Sequence, residues 1–118
     1  MPLQAPQKVP MSRRKPLRMR NARKEVVLAF YIGELAARLQ KSASTLRRWQ
    51  RLGLLPPTPL LHPVKGSSPR RLYTQQMIDG IAEIAEEEGL IGRRPARMAD
   101  TAFRARCHDL FWELFPAG

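Results

Sequence analysis

Residues Tyr31–Pro57 read YIGELAARLQKSASTLRRWQRLGLLPP, and this stretch decides the fold. It holds two short helical patterns separated by a single break. Glu34–Gln40 places Leu35, Ala36 and Leu39 on one face, as a half-buried helix requires. Ser42 then stands where a hydroxyl can accept from the free N–H groups of a new first turn. The second helix is expected over Ala43–Leu52, with Leu46, Trp49 and Leu52 as its buried side. That leaves Ser42, Ser44, Thr45, Arg47, Arg48 and Arg51 outside. Gly53 occupies the position of a left-handed C-terminal cap, and Pro56, Pro57 and Pro59 forbid further helix.

Working outward, Val26–Tyr31 (VVLAFY) is β-branched and aromatic, and predicts a short strand leading into the first helix. Downstream, Leu60–Thr74 has apolar patches on either side of the turn signal KGSS, which begins at Lys65. This predicts a β-hairpin with Arg70–Tyr73 as its second limb, short and irregular because Pro63 and Pro69 suit only edge positions. Thr74 is placed to cap a third helix, Gln75–Glu88, whose stripe is Met77, Ile78, Ile81, Ile84 and Ala85 and which Gly89 ends; the acidic run Glu86–Glu88 is expected to face solvent. A fourth helix, roughly Arg97–Phe115, repeats Phe103, Cys107, Leu110, Phe111, Leu114 and Phe115 at three- and four-residue steps, with Asp100 and Arg104 spaced to pair. This amphipathic segment either closes the core or forms a self-association surface.

The formal net charge is +11 over 118 residues, which points to a polyanionic partner rather than to any fold. Residues 1–24 carry Lys8, Arg13, Arg14, Lys15, Arg18, Arg20, Arg23 and Lys24 with no acid, and proline interrupts them repeatedly. Such a segment cannot bury enough apolar surface to offset its ordering, so a disordered basic arm is expected. The organisation that follows is an arm over 1–24, a folded unit over 25–92 and the amphipathic helix within 93–118. Cys107 is the single cysteine, which rules out an intramolecular disulfide and suits a small core residue better than a nucleophile. His62 and His108 have no partners at metal-ligand spacing. No phosphate-binding glycine loop, triad or carboxylate pair appears, so neither an enzyme, a metal site nor a cofactor is expected. No apolar run is long enough for a membrane span, and a cytoplasmic, nucleoid-associated protein with no membrane partner is expected.

Two helices joined by a tight turn, followed by a basic hairpin, make a mainly α winged helix-turn-helix with an additional C-terminal helix. A major groove admits one helix, serine and threonine reach phosphates or base edges, and arginine grips guanine through two acceptors. Lys41 and Lys65 extend the cationic surface, and Arg70 and Arg71 would supply the flanking contact from the hairpin. The segment Ile32–Ala36 with Ser42, Thr45, Leu46, Arg47, Trp49, Gly53–Leu55, Pro57, Arg71 and Tyr73 resembles the DNA-binding domain of the MerR family, and is similar to small domains of excisionases, BldC-like regulators and phage terminase small subunits. The resemblance implies that Thr45, Arg47, Arg48, Arg71 and Tyr73 lie near DNA, with Arg47 and Tyr73 mainly at phosphates. In the helix-turn-helix turn, where the family carries glycine and a small apolar residue, this chain has Gln40 and Lys41. Either the turn is wider, or Lys41 adds a phosphate contact. The family also continues into a long coiled-coil helix and an effector site; here the last helix is short and no cysteine cluster follows the domain. The expectation is therefore a sequence-specific double-stranded DNA-binding protein of bacterial or phage origin, a transcriptional repressor or activator. The alternative is a phage or mobile-element accessory protein of the excisionase or terminase small-subunit type. A homodimer or a tandem array on DNA, formed through the C-terminal helix, is the expected assembly.

Overall fold

The structure, a computed structural model, describes residues 16–20, 24–92 and 94–115. In chain order the elements are β1 (Leu17–Arg20), β2 (Val26–Tyr31), α1 (Ile32–Arg38), α2 (Ala43–Arg51), β3 (Leu61–Val64), β4 (Ser67–Thr74), α3 (Gln75–Glu87), a 3-10 turn at Met98–Asp100, and α4 (Phe103–Leu114). The strands form one antiparallel sheet in the order β1-β2-β4-β3. The mainly α winged helix-turn-helix expectation holds in part: the four helices are there among the described residues, but the hairpin is half of a four-stranded sheet. Among the described residues no helix is long and apolar enough to cross a membrane.

β1 is the element that charge and proline content hid. Within the supposed arm, Leu17 and Met19 are half-buried while Arg18 and Arg20 are exposed, the alternation that a strand with one covered face requires. Leu17 pairs with Ala29 and Arg20 with Val26, and Arg20 Nη1 donates to the Lys24 carbonyl at 2.8 Å beyond the strand end. The disordered-arm expectation is thus overturned for Leu17–Arg20, whereas residues 1–15 and 21–23 lie outside the described residues.

β4 is a central strand, paired with β2 over Leu72–Thr74 and with β3 over Ser67–Arg71. Pro63 sits in edge strand β3, at the register shift between His62 and Val64. Pro69 lies where β4 has β3 alone beside it. The proline-rich loop after α2 is fixed by one buried polar residue: Thr58 Oγ1 donates to the Leu72 carbonyl at 2.7 Å and accepts from Leu60 N at 3.1 Å.

The first three helices end alike. In α1, Lys41 N reaches the Ala36 carbonyl and Gln40 N the Ala37 carbonyl. In α2, Leu54 N reaches Trp49 and Gly53 N reaches Gln50; in α3, Leu90 N reaches Ala85 and Gly89 N reaches Glu86. Each pair of bonds needs a left-handed residue one place past the C-cap. Gly53 (φ 75°) and Gly89 (φ 77°) supply it without a side-chain clash, whereas Gln40 does so at φ 59°. The turn between α1 and α2 is therefore not wider than the glycine-containing form. The glutamine carries the strain that glycine avoids, of order 1–2 kcal/mol, against which glycine's extra unfolded-state freedom counts about 0.5–1 kcal/mol. Gln40→Gly is expected to raise stability by roughly 0.5–1 kcal/mol, visible as a rise of a few degrees in Tm. A fall in Tm on thermal unfolding would show that the glutamine side chain contributes more than its backbone costs.

One core joins these elements. Leu35, Ala36 and Leu39 of α1, Leu46 of α2, Leu55, Tyr73 of β4 and Met77, Ile78 and Ile81 of α3 share a cluster with Phe103, Cys107 and Phe111 of α4. α4 thus packs into the same core as the helix-turn-helix. Burial pushes the Cys107 thiol up to about 12, and it is a small core group. α4 begins later than expected, at Phe103, whose N–H donates to Thr101 Oγ1 at 3.3 Å. Ala102 has no side-chain acceptor to offer, and its N–H donates at 2.8 Å to Glu88 at the end of α3. Arg106 closes the junction, with Nη2 2.6 Å from Glu87 and Nη1 3.2 Å from Glu88. The acidic run is therefore not simply solvated: the Ala102 N–H, and after it Arg106, hold the Glu88 carboxyl below its ordinary range. Asp100 lies 3.8 Å from Arg97 instead of pairing with Arg104.

Candidate nucleic-acid interface

α2 is built to present one face. Ser42 caps it, its Oγ accepting from Thr45 N at 3.1 Å and sharing a hydrogen bond with Thr45 Oγ1 at 2.9 Å. Ala43, Leu46, Trp49 and Gln50 form the inward stripe, with Leu46 fully buried and Trp49 packed edge-on against Phe103 at 5.4 Å. Ser44, Arg47, Arg48 and Arg51 form the outward stripe at i, i+3, i+4 and i+7, and all are exposed. Leu52, expected inside, is 59% exposed because it falls past the end of the inward stripe, as the C-cap.

The outward guanidiniums are unengaged. Among the described residues, the side chains of Arg47, Arg48 and Arg51 make no hydrogen bond or ion pair, and Lys41 and Lys65 are equally free. The reason lies in the distribution of charge along the chain. Between Glu34 and Asp79 there are eight cations and no acid. The ion pairs sit elsewhere: Arg38 holds Asp79 of α3 at 2.6 Å, and Arg106 holds the end of α3. Asp79 is kept below its ordinary range by its bonds to Arg38 and Gln75.

The hairpin contributes differently from its reading as a pair of arginines. Successive strand residues point to opposite faces. Arg70 turns away from α2 and lies over the Tyr31 ring at 6.0 Å, with His62 edge-on to the same ring at 6.4 Å. Arg71 turns toward α2, where its Nη1 donates to Gln50 Oε1 at 2.6 Å. Lys65 stands exposed at the turn beside Gly66, whose φ of 77° lets the hairpin reverse.

Tyr73 requires a correction. The resemblance implies a residue at the phosphates, but the ring is fully buried in the core. Its hydroxyl accepts from Gln50 Nε2, and burial pushes it up to about 12 despite that bond and the nearby charge of Arg71. The surface that remains gathers Lys41, Ser42, Ser44, Thr45, Arg47, Arg48, Arg51 and Arg71 around α2, with Lys65 out along the wing and Arg70 on the opposite sheet face.

Residues 31–73 match the family described as MerR family regulatory protein. This segment is a MerR-like DNA-binding domain. The matched span runs from the end of β2 through both helices of the helix-turn-helix to Tyr73 in β4. It thus holds every residue of the surface just described. No curated protein and no solved structure matches the chain. Around the MerR-like domain, β1, α3 and α4 complete the sheet and the core.

Gln50 is the residue that sequence reasoning missed. The sequence assigned it to neither face of α2, and the bonds to Tyr73, 23 residues on, and to Arg71, 21 residues on, give it a role. Its place in the inward stripe, in line with Ala43 and Leu46, was the signal that could have found it.

Proposed function

We propose that the protein is a sequence-specific double-stranded DNA-binding regulator. α2 lies in the major groove, with Ser44, Arg47, Arg48 and Arg51 toward the bases and the adjoining phosphates. Lys41 and the capped start of α2 meet one strand's backbone, and Arg71 and Lys65 of the wing meet the flanking backbone. The observation that carries this reading is the outward stripe of α2, three guanidiniums exposed and unengaged among the described residues, within a MerR-like domain. The basic residues of 1–24 add sequence-independent attraction. A second reading is an accessory protein that shapes or marshals DNA, supported by the packing of α4 back onto the core of the DNA-binding unit.

The test is a titration of labelled duplexes, single strands and structured RNA across a salt series. The logarithm of affinity should fall linearly with the logarithm of salt, with a slope set by several phosphate contacts, and a preferred duplex should stay bound after random sequence has dissociated. Equal affinity for any RNA would remove the duplex reading. Footprinting at the native locus then separates promoter occupancy from a recombination or packaging site.

A further inference from the structure

Gln50 joins the helix that carries the outward arginines to the strand that carries Arg71. Its carboxamide makes both of its bonds across this junction: Oε1 accepts from Arg71, and Nε2 donates to the Tyr73 hydroxyl. Arginine offers only donors, so the amide can stand only one way round, with oxygen toward Arg71 and nitrogen toward Tyr73. The tyrosine ring is immobilised in the core, so the amide is held from beneath and Arg71 is held by the amide. No carboxylate pairs with Arg71 among the described residues. The guanidinium is thus fixed in place by a neutral group that does not cancel its charge, and its other N–H groups make no bond among the described residues.

We infer that Gln50 is a positioning residue: it sets Arg71 beside the outward stripe of α2 without neutralising it, so that helix and wing meet a duplex as one cationic surface. The inference rests on the duplex-binding reading. It also says why an amide serves here. A carboxylate would hold Arg71 at least as firmly, since a charge-assisted bond is the stronger. It would, however, cancel the charge that a phosphate needs. An apolar side chain would leave the charge but release the geometry, and the ordering of Arg71 would then fall on the binding step.

Two substitutions separate these effects. Gln50→Glu should fold with a Tm close to that of the parent, bind duplex roughly tenfold more weakly, and lower the salt slope by about one. Gln50→Leu should weaken binding several-fold with the slope unchanged, because Arg71 still reaches its phosphate from a mobile start. Gln50→Leu also strands the buried Tyr73 hydroxyl, so a lower Tm is expected of it under either role; the result that marks a purely structural role is parental affinity and slope for Gln50→Glu. Arg47→Ala is titrated alongside. If Arg47→Ala impairs binding while Gln50→Glu matches the parent in affinity and slope, the inference is overturned and the duplex reading stands. If both match the parent, the reading and the inference fall together.

Discussion

Replacing Arg47 and Arg48 together by alanine is expected to weaken binding to the preferred duplex by roughly two orders of magnitude, while leaving the fold intact. Both guanidiniums are exposed, and neither is bonded within the protein among the described residues, so their loss removes no internal contact. The small stability terms oppose one another. Arg48 lies in the last turn of α2, where a cation favours the helix dipole by a few tenths of a kcal/mol. Arg47 and Arg51 stand four apart and repel, and alanine is the better helix former. Stability should therefore shift by no more than about 0.5 kcal/mol. The lost contacts are each of order 1–3 kcal/mol if made to bases. Titration in a salt series also assigns the contacts: a slope lower by about two places both arginines on phosphates, and an unchanged slope with relaxed sequence preference places them on base edges. Unchanged affinity with an unchanged circular dichroism spectrum would mean that α2 is not the reader.

The freedom of that face is a property of the whole molecule. Acids are confined to Glu25, Glu34 and the chain from Asp79 onward, and the packing turns α3 and its junction with α4 into the region where they are paired. Arginines on a surface often lie against neighbouring carboxylates. Here three of the acids that follow α2 in the chain are already bound, Asp79 by Arg38 and Glu87 and Glu88 by Arg106. Each of these exposed pairs is worth little to stability.

What was legible in the sequence was its punctuation. Ser42, Gly53, Thr74 and Gly89 each do what their residue types predict, because a cap depends on atoms within a few positions along the chain. β2 was equally legible from its β-branched and aromatic run. The misses share a non-local cause. β1 exists because β2 offers it an edge, and its Leu-Arg-Met-Arg alternation is too short to stand out in a basic segment. The N–H of Ala102, at the entry to α4, is held by Glu88, fourteen residues earlier in the chain. Tyr73 ended inside because β4 is a central strand with that face against the core, while its neighbour Arg71 emerges at the edge of α2. At Gln40 the family's glycine would have marked a left-handed residue, and its absence suggested a different turn, yet the backbone kept the conformation.

Phe103→Ala is expected to cost about 3–5 kcal/mol of stability, the range for removing a buried aromatic ring. A domain of this size has only about 5–15 kcal/mol in all, so Tm should fall by more than ten degrees or so. Phe103 has no exposed surface, and it is the first residue of α4. Its ring meets Trp49 at an interplanar angle of 63°, a T-shaped contact that itself contributes roughly 0.5–1.5 kcal/mol. It is thus the point where α4 closes over the inward stripe of α2, and its removal leaves a cavity between the outermost helix and the one proposed to read DNA. Denaturant titration should show a lower midpoint with an unchanged m-value if α4 stays docked, and a smaller m-value if α4 detaches in the folded state. Tryptophan emission reports the same junction: Trp112 is already 61% exposed, so a red shift on substitution comes from Trp49. The experiment also divides the two roles open to the last helix. If α4 serves to close the core, the variant loses stability at every protein concentration and keeps the parent's oligomeric state. If Phe103 instead served self-association, the loss would appear as a concentration-dependent dissociation with little change in the monomer's midpoint, and the packing described for α2 against α4 would be refuted.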